Sequence, residues 1–283
     1  MLRRQRAGSV VCPSCGLLVG VKDDRCYNCG RVNPSLWGFA PLLRQFGNNL
    51  GFVQIVIGGC SILYILSLVA TIGMSGLFGI LAPSSRSLIL LGASGAFPVF
   101  RLGNWWSVLS ANWLHANLLH IGFNMFWVWE IGPSVAEIYG TARTIIIYTA
   151  AGVLGFVLSS TAGLYMAGPG IPFFLRGAQL TIGASAAIFG LLGALVYFGR
   201  RGGHSMMKRQ ALGYAIALFV FGLVMPGVDN YAHLGGFVGG YLASMVFDPS
   251  RRERVDHLIL AFVCIGATVL SVAVSVLHVL SLI

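Results

Sequence analysis

The sequence predicts an all-α polytopic membrane protein with seven spanning helices, preceded by a small cysteine-rich module. Three observations carry that prediction. Of 283 residues, 57% are hydrophobic and only 9% charged, against about 25% charged in soluble domains. Several apolar runs reach the roughly 20 residues that cross a bilayer. Four of the six cysteines fall in two close pairs near the N-terminus, and the other two, Cys60 and Cys264, stand alone in apolar runs.

Residues 1–33 form the module. Cys12, Cys15, Cys26 and Cys29 follow the pattern C-x2-C-x10-C-x2-C, with Gly16 and Gly30 directly after each pair. In a reducing compartment this spacing reads as a tetrahedral, structural zinc site of ribbon type, since four thiolates leave the metal no open position. The basic start, "MLRRQRAGSVVCPSCG", lacks the apolar stretch of a signal peptide, so the N-terminus is expected in the cytosol. Residues 34–49 mix Trp37, Phe39, Leu42, Leu43 and Phe46 with Arg44 and read as a linker carrying an interfacial helix.

Spans follow at about 50–73, 118–139, 143–166, 182–199, 209–225, 230–247 and 256–281. With the N-terminus inside, the segments 1–49, the turn at Arg143, the 200–209 loop and the 248–255 loop hold 15 of the 18 basic residues. Only Arg86, Arg101 and Arg176 fall outside. This positive-inside asymmetry accounts for the net charge of +10 without nucleic acid as a partner. The stretch between the first two spans, roughly 74–117, is long enough to be functional, and Trp105, Trp106 and Trp113 place it partly in the outer leaflet.

Polar residues inside spans are costly in hydrocarbon and therefore informative. "HANLLHIGFN" opens the second span with His115, His120 and Asn124; "TIGASAAIFG" opens the fourth with Ser185; "DNYAHLGGFVGG" opens the sixth with Asp229, Asn230 and His233. These three spans all run from outside to inside, so His120, Asn124, Ser185 and His233 share one depth below the outer surface. Taken alone, a serine at a helix start such as Ser185 is more often a helix cap or packing residue than a nucleophile. Gly183 and Gly190 flank it, and Gly236 and Gly240 follow His233 on its own face. Such small-residue faces let helices approach closely, close enough to bring the serine hydroxyl to a histidine base. Phe189, one turn below, is placed to pack on the imidazole. His120 and Asn124 (i, i+4) supply donors for a developing oxyanion, and no acidic third member is evident.

On these residues the sequence resembles the rhomboid family of intramembrane serine proteases. "GASAAIFG" resembles the family's GxSGxxxG nucleophile motif, "HANLLHIGFNM" its oxyanion region, and "VDNYAHLGGFVGG" its AHxxGxxxG motif. "SVAEIYG", with Glu137 and Gly140, resembles the family's ExxxG helix end, one residue shorter. The resemblance implies a six-helix core over 50–247, with 248–283 adding a basic loop and a seventh, C-terminal transmembrane helix. It implies Ser185 as nucleophile, His233 as base, and His120 and Asn124 as oxyanion partners, with no cofactor for catalysis. Ala186 stands for the family's usual glycine, Phe189 for a common tyrosine, and Trp106–Ser107 for the loop's tryptophan–arginine pair.

The expected function is an endopeptidase that cuts transmembrane protein substrates near the outer face of the bilayer, in a bacterial plasma membrane. A substrate helix must unwind locally first, because its backbone is otherwise hydrogen-bonded. The alternatives are a non-catalytic rhomboid-like protein that binds client helices, and a transporter using His120 and His233 as proton sites. The zinc module is expected either to serve a cytosolic contact or regulatory role, such as recruiting a partner, or to be a structural extension alone.

Overall fold

The computed structural model describes residues 4–42, 51–71, 81–251 and 253–282. The seven expected spans are seven long helices: α1 (Phe52–Val69), α2 (Leu118–Tyr139), α3 (Thr141–Tyr165), α4 (Ser185–Arg201), α5 (Ser205–Val224), α6 (Asn230–Val246) and α7 (Val255–Ser281). Their ends lie within about a turn of the sequence expectation. Helices α1, α3, α5 and α7 are long and apolar enough to cross a membrane on their own. The other three carry the polar residues: α2 holds Glu130 and Glu137, and α4 and α6 have 17 residues each. Protein rather than lipid surrounds most of α4, with eleven of its residues buried.

The centre of the molecule is built by α3, α4 and α6, and glycine makes their spacing possible. A Cβ on Gly236 would run into the Ala186 carbonyl, and one on Gly240 into the Gly190 carbonyl. A Cβ on Gly155 would lie 2.9 Å from that of Ala186, and one on Gly239 3.1 Å from the Ala151 α-carbon. Within a bilayer, helix association rests on such close van der Waals contact, because lipid tails are as apolar as leucine. The outer helices do the opposite. Ile62 and Ile65 on α1, Val220 and Val224 on α5, and Leu270 and Leu277 on α7 are exposed, as lipid-facing residues are.

Helix starts are set by side chains from near and far. Asn117 caps α2, its amide oxygen accepting from the His120 N–H at 2.8 Å, and Asp229 caps α6 through the Ala232 N–H at 3.0 Å. The cap of α3 comes from a distant loop, where the Glu253 carboxylate accepts from the Arg143 N–H at 2.9 Å. Burial pushes the Glu253 carboxyl above its ordinary range, against the bonds to α3 that lower it. Among the described residues, no side chain caps helix α4.

Of the expected 74–117 segment, the described part folds as short helical turns at Ser85–Leu90, Phe97–Arg101, Ser107–Ser110 and Ala111–Trp113. It is tied to the strand-like approach to α4, since Ser94 and Thr181 exchange backbone hydrogen bonds at 3.1 and 2.8 Å. The three tryptophans divide. Trp105 is exposed, whereas Trp113 is buried in the core, 5.8 Å from the Tyr148 ring and against Gly59. In the expected 34–49 linker, turns run to Phe39 and helix begins at Ala40, while 43–49 lie outside the described residues.

The N-terminal module is a two-stranded antiparallel ribbon, β1 (Ser9–Val11) with β2 (Leu18–Gly20). It rests against the start of α7. The Arg31 guanidinium holds both carboxylate oxygens of Asp256 at 2.5 Å and reaches Ser14 Oγ at 2.8 Å. Asp256 in turn takes a bond from Arg254 at 2.7 Å. The α7 start lies beside the Glu253 cap of α3, so the module sits at the end of the bundle opposite the starts of α2, α4 and α6.

Candidate active site

The starts of α2, α4 and α6 converge at one end, and they bring the four site residues together. Ser185 is the first residue of α4, and its Oγ lies 2.9 Å from Nε2 of His233 on α6. The packing that delivers this contact is the glycine interface described above: Gly236, three residues after His233, sits on Ala186, directly after Ser185. Phe189 stacks on the imidazole, with ring centroids 4.2 Å apart and planes at 13°. His233 is 6% exposed, and its Nδ1 is buried without a hydrogen-bond partner among the described residues. The acid close in sequence, Asp229, is engaged elsewhere: it caps α6 and accepts from the Ser159 hydroxyl. Ring stacking therefore orients this histidine where a carboxylate does so in a triad.

His120 and Asn124 face the same spot from α2. A Cβ on Gly183 would lie 2.7 Å from His120 Nε2 and 3.7 Å from Asn124 Nδ2. Gly183 has φ +127°, a conformation side chains rarely adopt, and its bare α-carbon leaves the space in front of both donors open. The Ala116 N–H donates to His120 Nδ1 at 3.3 Å. That bond makes Nδ1 the acceptor and leaves Nε2–H as a donor aimed toward the approach to Ser185. Asn124 donates one amide proton to the His120 carbonyl at 3.0 Å and keeps a second. Because no described side chain caps α4, its first N–H groups add the positive end of a helix dipole at Ser185. The arrangement offers an activated hydroxyl, a base and convergent donors: the equipment for acyl transfer through an oxyanion.

Sequence reasoning singled out all four residues but not what holds them. Asn117 carried a legible signal, an asparagine directly before an apolar run and three residues before His120. The Ala111 carbonyl, which accepts from the Gly183 N–H at 2.9 Å, carried none, because any residue supplies it. His115 is buried beside His120, ring centroids 5.1 Å apart, and is a packing neighbour of that donor.

The four N-terminal cysteines form a second cluster, with all sulfur atoms within 4.8 Å of one another. The Cys12–Cys29 and Cys15–Cys26 separations are 3.7 and 3.6 Å. Disulfide sulfurs stand about 2.05 Å apart, whereas a tetrahedron with metal–sulfur arms of about 2.3 Å has edges of about 3.8 Å. The cluster fits a metal. The thiols split: the Leu17 backbone N–H, helped by the Asn28 side chain, brings Cys15 down to about 6, whereas Cys29, despite a lowering bond from the Arg31 backbone, is pushed up to about 11 by burial and the neighbouring sulfurs.

An all-helical membrane bundle with a serine–histidine contact at the starts of two glycine-packed helices defines the class, a polytopic membrane protein with a hydrolase-like site. Residues 102–250 match the Rhomboid domain, and the chain belongs to the rhomboid family. It is 31% identical over 145 residues to the rhomboid protease GluP of Bacillus subtilis, covering 50% of this chain and 26% of that protein. It is 33% identical over 176 residues to RHOMBOID-like protein 4 of Arabidopsis thaliana, covering 59% and 40%. It is 28% identical over 181 residues to Rhomboid-like protease 1 of Toxoplasma gondii, covering 62% and 57%. The chain thus spans less than two thirds of these relatives. Helix α1, the cysteine module and α7 lie outside the matched domain.

Proposed function

We propose that this protein is an intramembrane serine endopeptidase that cleaves transmembrane segments of other membrane proteins. The observation that carries the reading is the 2.9 Å Ser185–His233 contact, facing donors on α2 across the bare α-carbon of Gly183. His233 Nε2 takes the Ser185 proton as Oγ attacks the scissile carbonyl. The oxyanion is met by His120 Nε2–H, an Asn124 amide proton and the N–H groups at the start of α4. His233 then protonates the leaving amine, and water, deprotonated by the same nitrogen, hydrolyses the acyl-enzyme. The substrate helix unwinds before attack, since a helical backbone keeps its carbonyls bonded internally. Substrates with helix-breaking residues near the cut are therefore favoured.

The placement of 15 of 18 basic residues supports a cytosolic module and a site toward the outer face of the membrane. Incubation in liposomes with a single-pass substrate, with and without a fluorophosphonate that reacts with Ser185, tests the reading. Cleavage that a fluorophosphonate blocks supports it; a protein that neither cleaves nor labels but retains the substrate helix in a pull-down is a binder of client helices instead.

Two further outcomes follow from named residues. His120→Ala and Asn124→Ala will each lower kcat by about 10²- to 10³-fold, the usual loss for one oxyanion donor. KM should barely move, because the donors act on charge that develops only in the transition state; a rise in KM at constant kcat would remove them from that role. We also propose that Cys12, Cys15, Cys26 and Cys29 hold a structural zinc ion, supported by their tetrahedral spacing. Cys12→Ser with Cys15→Ser will take metal content, read by plasma mass spectrometry, from about one zinc per chain to near zero. Unchanged content would reject the site.

A further inference from the structure

Helix α7 lies outside the matched domain, yet it carries an unusual stripe. Ser271, Ser275 and His278 are spaced i, i+4, i+7, so they share one face. Ser271 is 3% exposed and Ser275 is fully buried, while Val269, Leu270 and Leu277 on the other faces stand out to lipid. Buried hydroxyls in a membrane helix are retained where they meet partners, and here every partner belongs to the segment leading to the site. The Ser271 hydroxyl lies 2.8 Å from the Trp106 carbonyl oxygen and 2.9 Å from Ser110 Oγ, sharing its proton between them. The Trp106 indole N–H donates to Ser275 Oγ at 2.9 Å. The His278 Nε2–H donates to the Leu102 carbonyl at 3.0 Å, and its ring meets the Trp106 ring edge-on at 5.5 Å.

This contact set leads to Ser185 in few steps. Ser110, held by Ser271, donates its own hydroxyl to the Gly92 carbonyl at 2.8 Å. The next residue, Ala111, accepts the Gly183 N–H at 2.9 Å, and Ser94 pairs with Thr181. Gly183 is the residue whose unusual φ keeps the space before His120 and Asn124 open. The segment's other bonds are mostly local backbone turns, such as Asn104 N–H to the Pro98 carbonyl and Ser107 N–H to the Asn104 carbonyl, while Ser107 Oγ is buried with no partner among the described residues.

We propose that α7 is a positioning element for the active site, with Ser271, Ser275 and His278 locking residues 102–111 so that Ala111 fixes the Gly183–Ser185 turn. The proposal rests on the reading of Ser185 as nucleophile for its catalytic consequence, but not for the mechanical coupling itself. It assigns these side chains no contact with substrate. Removing them loosens the approach to α4, which misaligns Ser185 and the oxyanion donors without removing either.

The test is paired. Full-length protein in nanodiscs is compared as wild type, Ser271→Ala with Ser275→Ala, and Thr268→Ala, by amide hydrogen exchange and by the rate of fluorophosphonate labelling. Thr268 is a matched control, buried on α7 but bonded, among the described residues, only to the Cys264 carbonyl of its own helix. The double variant is expected to exchange faster in both 102–111 and 181–184 and to label about tenfold more slowly, with Thr268→Ala unchanged in both. Faster exchange confined to 102–111, or unchanged exchange throughout, overturns the proposal. If the double variant fails to fold, His278→Leu against His278→Gln, which retains an N–H donor for Leu102, gives the same comparison, with rescue by glutamine expected and equal loss in both overturning it. A wild type that never labels rejects Ser185 as nucleophile, and exchange at 181–184 still decides whether α7 positions that turn.

Discussion

Ser185→Ala will lower kcat/KM for a single-pass substrate by about 10⁶-fold, His233→Ala by a comparable factor, and the double variant hardly further. The lack of additivity is the substance of the prediction. A nucleophile and its base act as one unit, so removing either leaves the other with nothing to do. At 2.9 Å the two side chains share one proton, and among the described residues no carboxylate stands behind His233 Nδ1 to be lost in turn. Two losses that multiply would mean that the residues act in separate steps, which would sink the dyad. The measurement is cleavage of the substrate in liposomes, with a fluorophosphonate probe counting competent serines. Ser185→Ala removes labelling outright, and His233→Ala leaves the hydroxyl in place but unactivated. A His233→Ala protein that labels at the wild-type rate would show that another group takes the serine proton. Residual turnover in either variant comes from the donors on α2 and the start of α4, which remain.

How much of this was legible in the sequence differs by element. The helices were, because each is a long apolar run and hydrocarbon admits little else. The convergence of His120, Asn124, Ser185 and His233 was also legible, through topology: three spans of the same direction put their starts at one level. Distances were not. Nothing in "GASAAIFG" states that the Ala186 carbonyl touches Gly236, because that contact depends on how two helices cross. The Trp113 burial escaped for a related reason: tryptophan serves the interface and the core equally, and the choice was made by a glycine, Gly59, leaving room for the ring. Contacts made by backbone atoms, such as Ala111 to Gly183, leave no mark on composition at all. The α7 stripe was written in Ser271, Ser275 and His278, but its meaning required knowing which loop lay against it.

Gly236→Val will lower kcat by about 100-fold or more while Gly58→Val leaves it near wild type. The two substitutions are chemically identical, and both fall within apolar helices. They differ in what the new side chain meets. Beside Gly58 no heavy atom of another described element lies within 4 Å, so the valine meets no packed neighbour there. At Gly236 the first added carbon collides with the Ala186 carbonyl, backbone that cannot rotate away, so α6 must move from α4 by roughly an ångström. That displacement falls on the one interface that sets the Ser185–His233 separation and the Phe189 stacking, since Ser185, Ala186 and Phe189 ride on α4 and His233 on α6. A misplacement of that size at reacting groups costs about two orders of magnitude in rate, while overpacking costs about 1–3 kcal/mol of stability. The split between the two readouts discriminates causes. Kinetics on the folded fraction, alongside thermal unfolding of both variants, should show kcat falling well beyond what lost folded protein explains, with KM little changed. Loss that merely tracks unfolding would reduce the α4–α6 glycine face to a stability device, and a wild-type kcat in folded Gly236→Val would break the link from helix spacing to the serine–histidine contact.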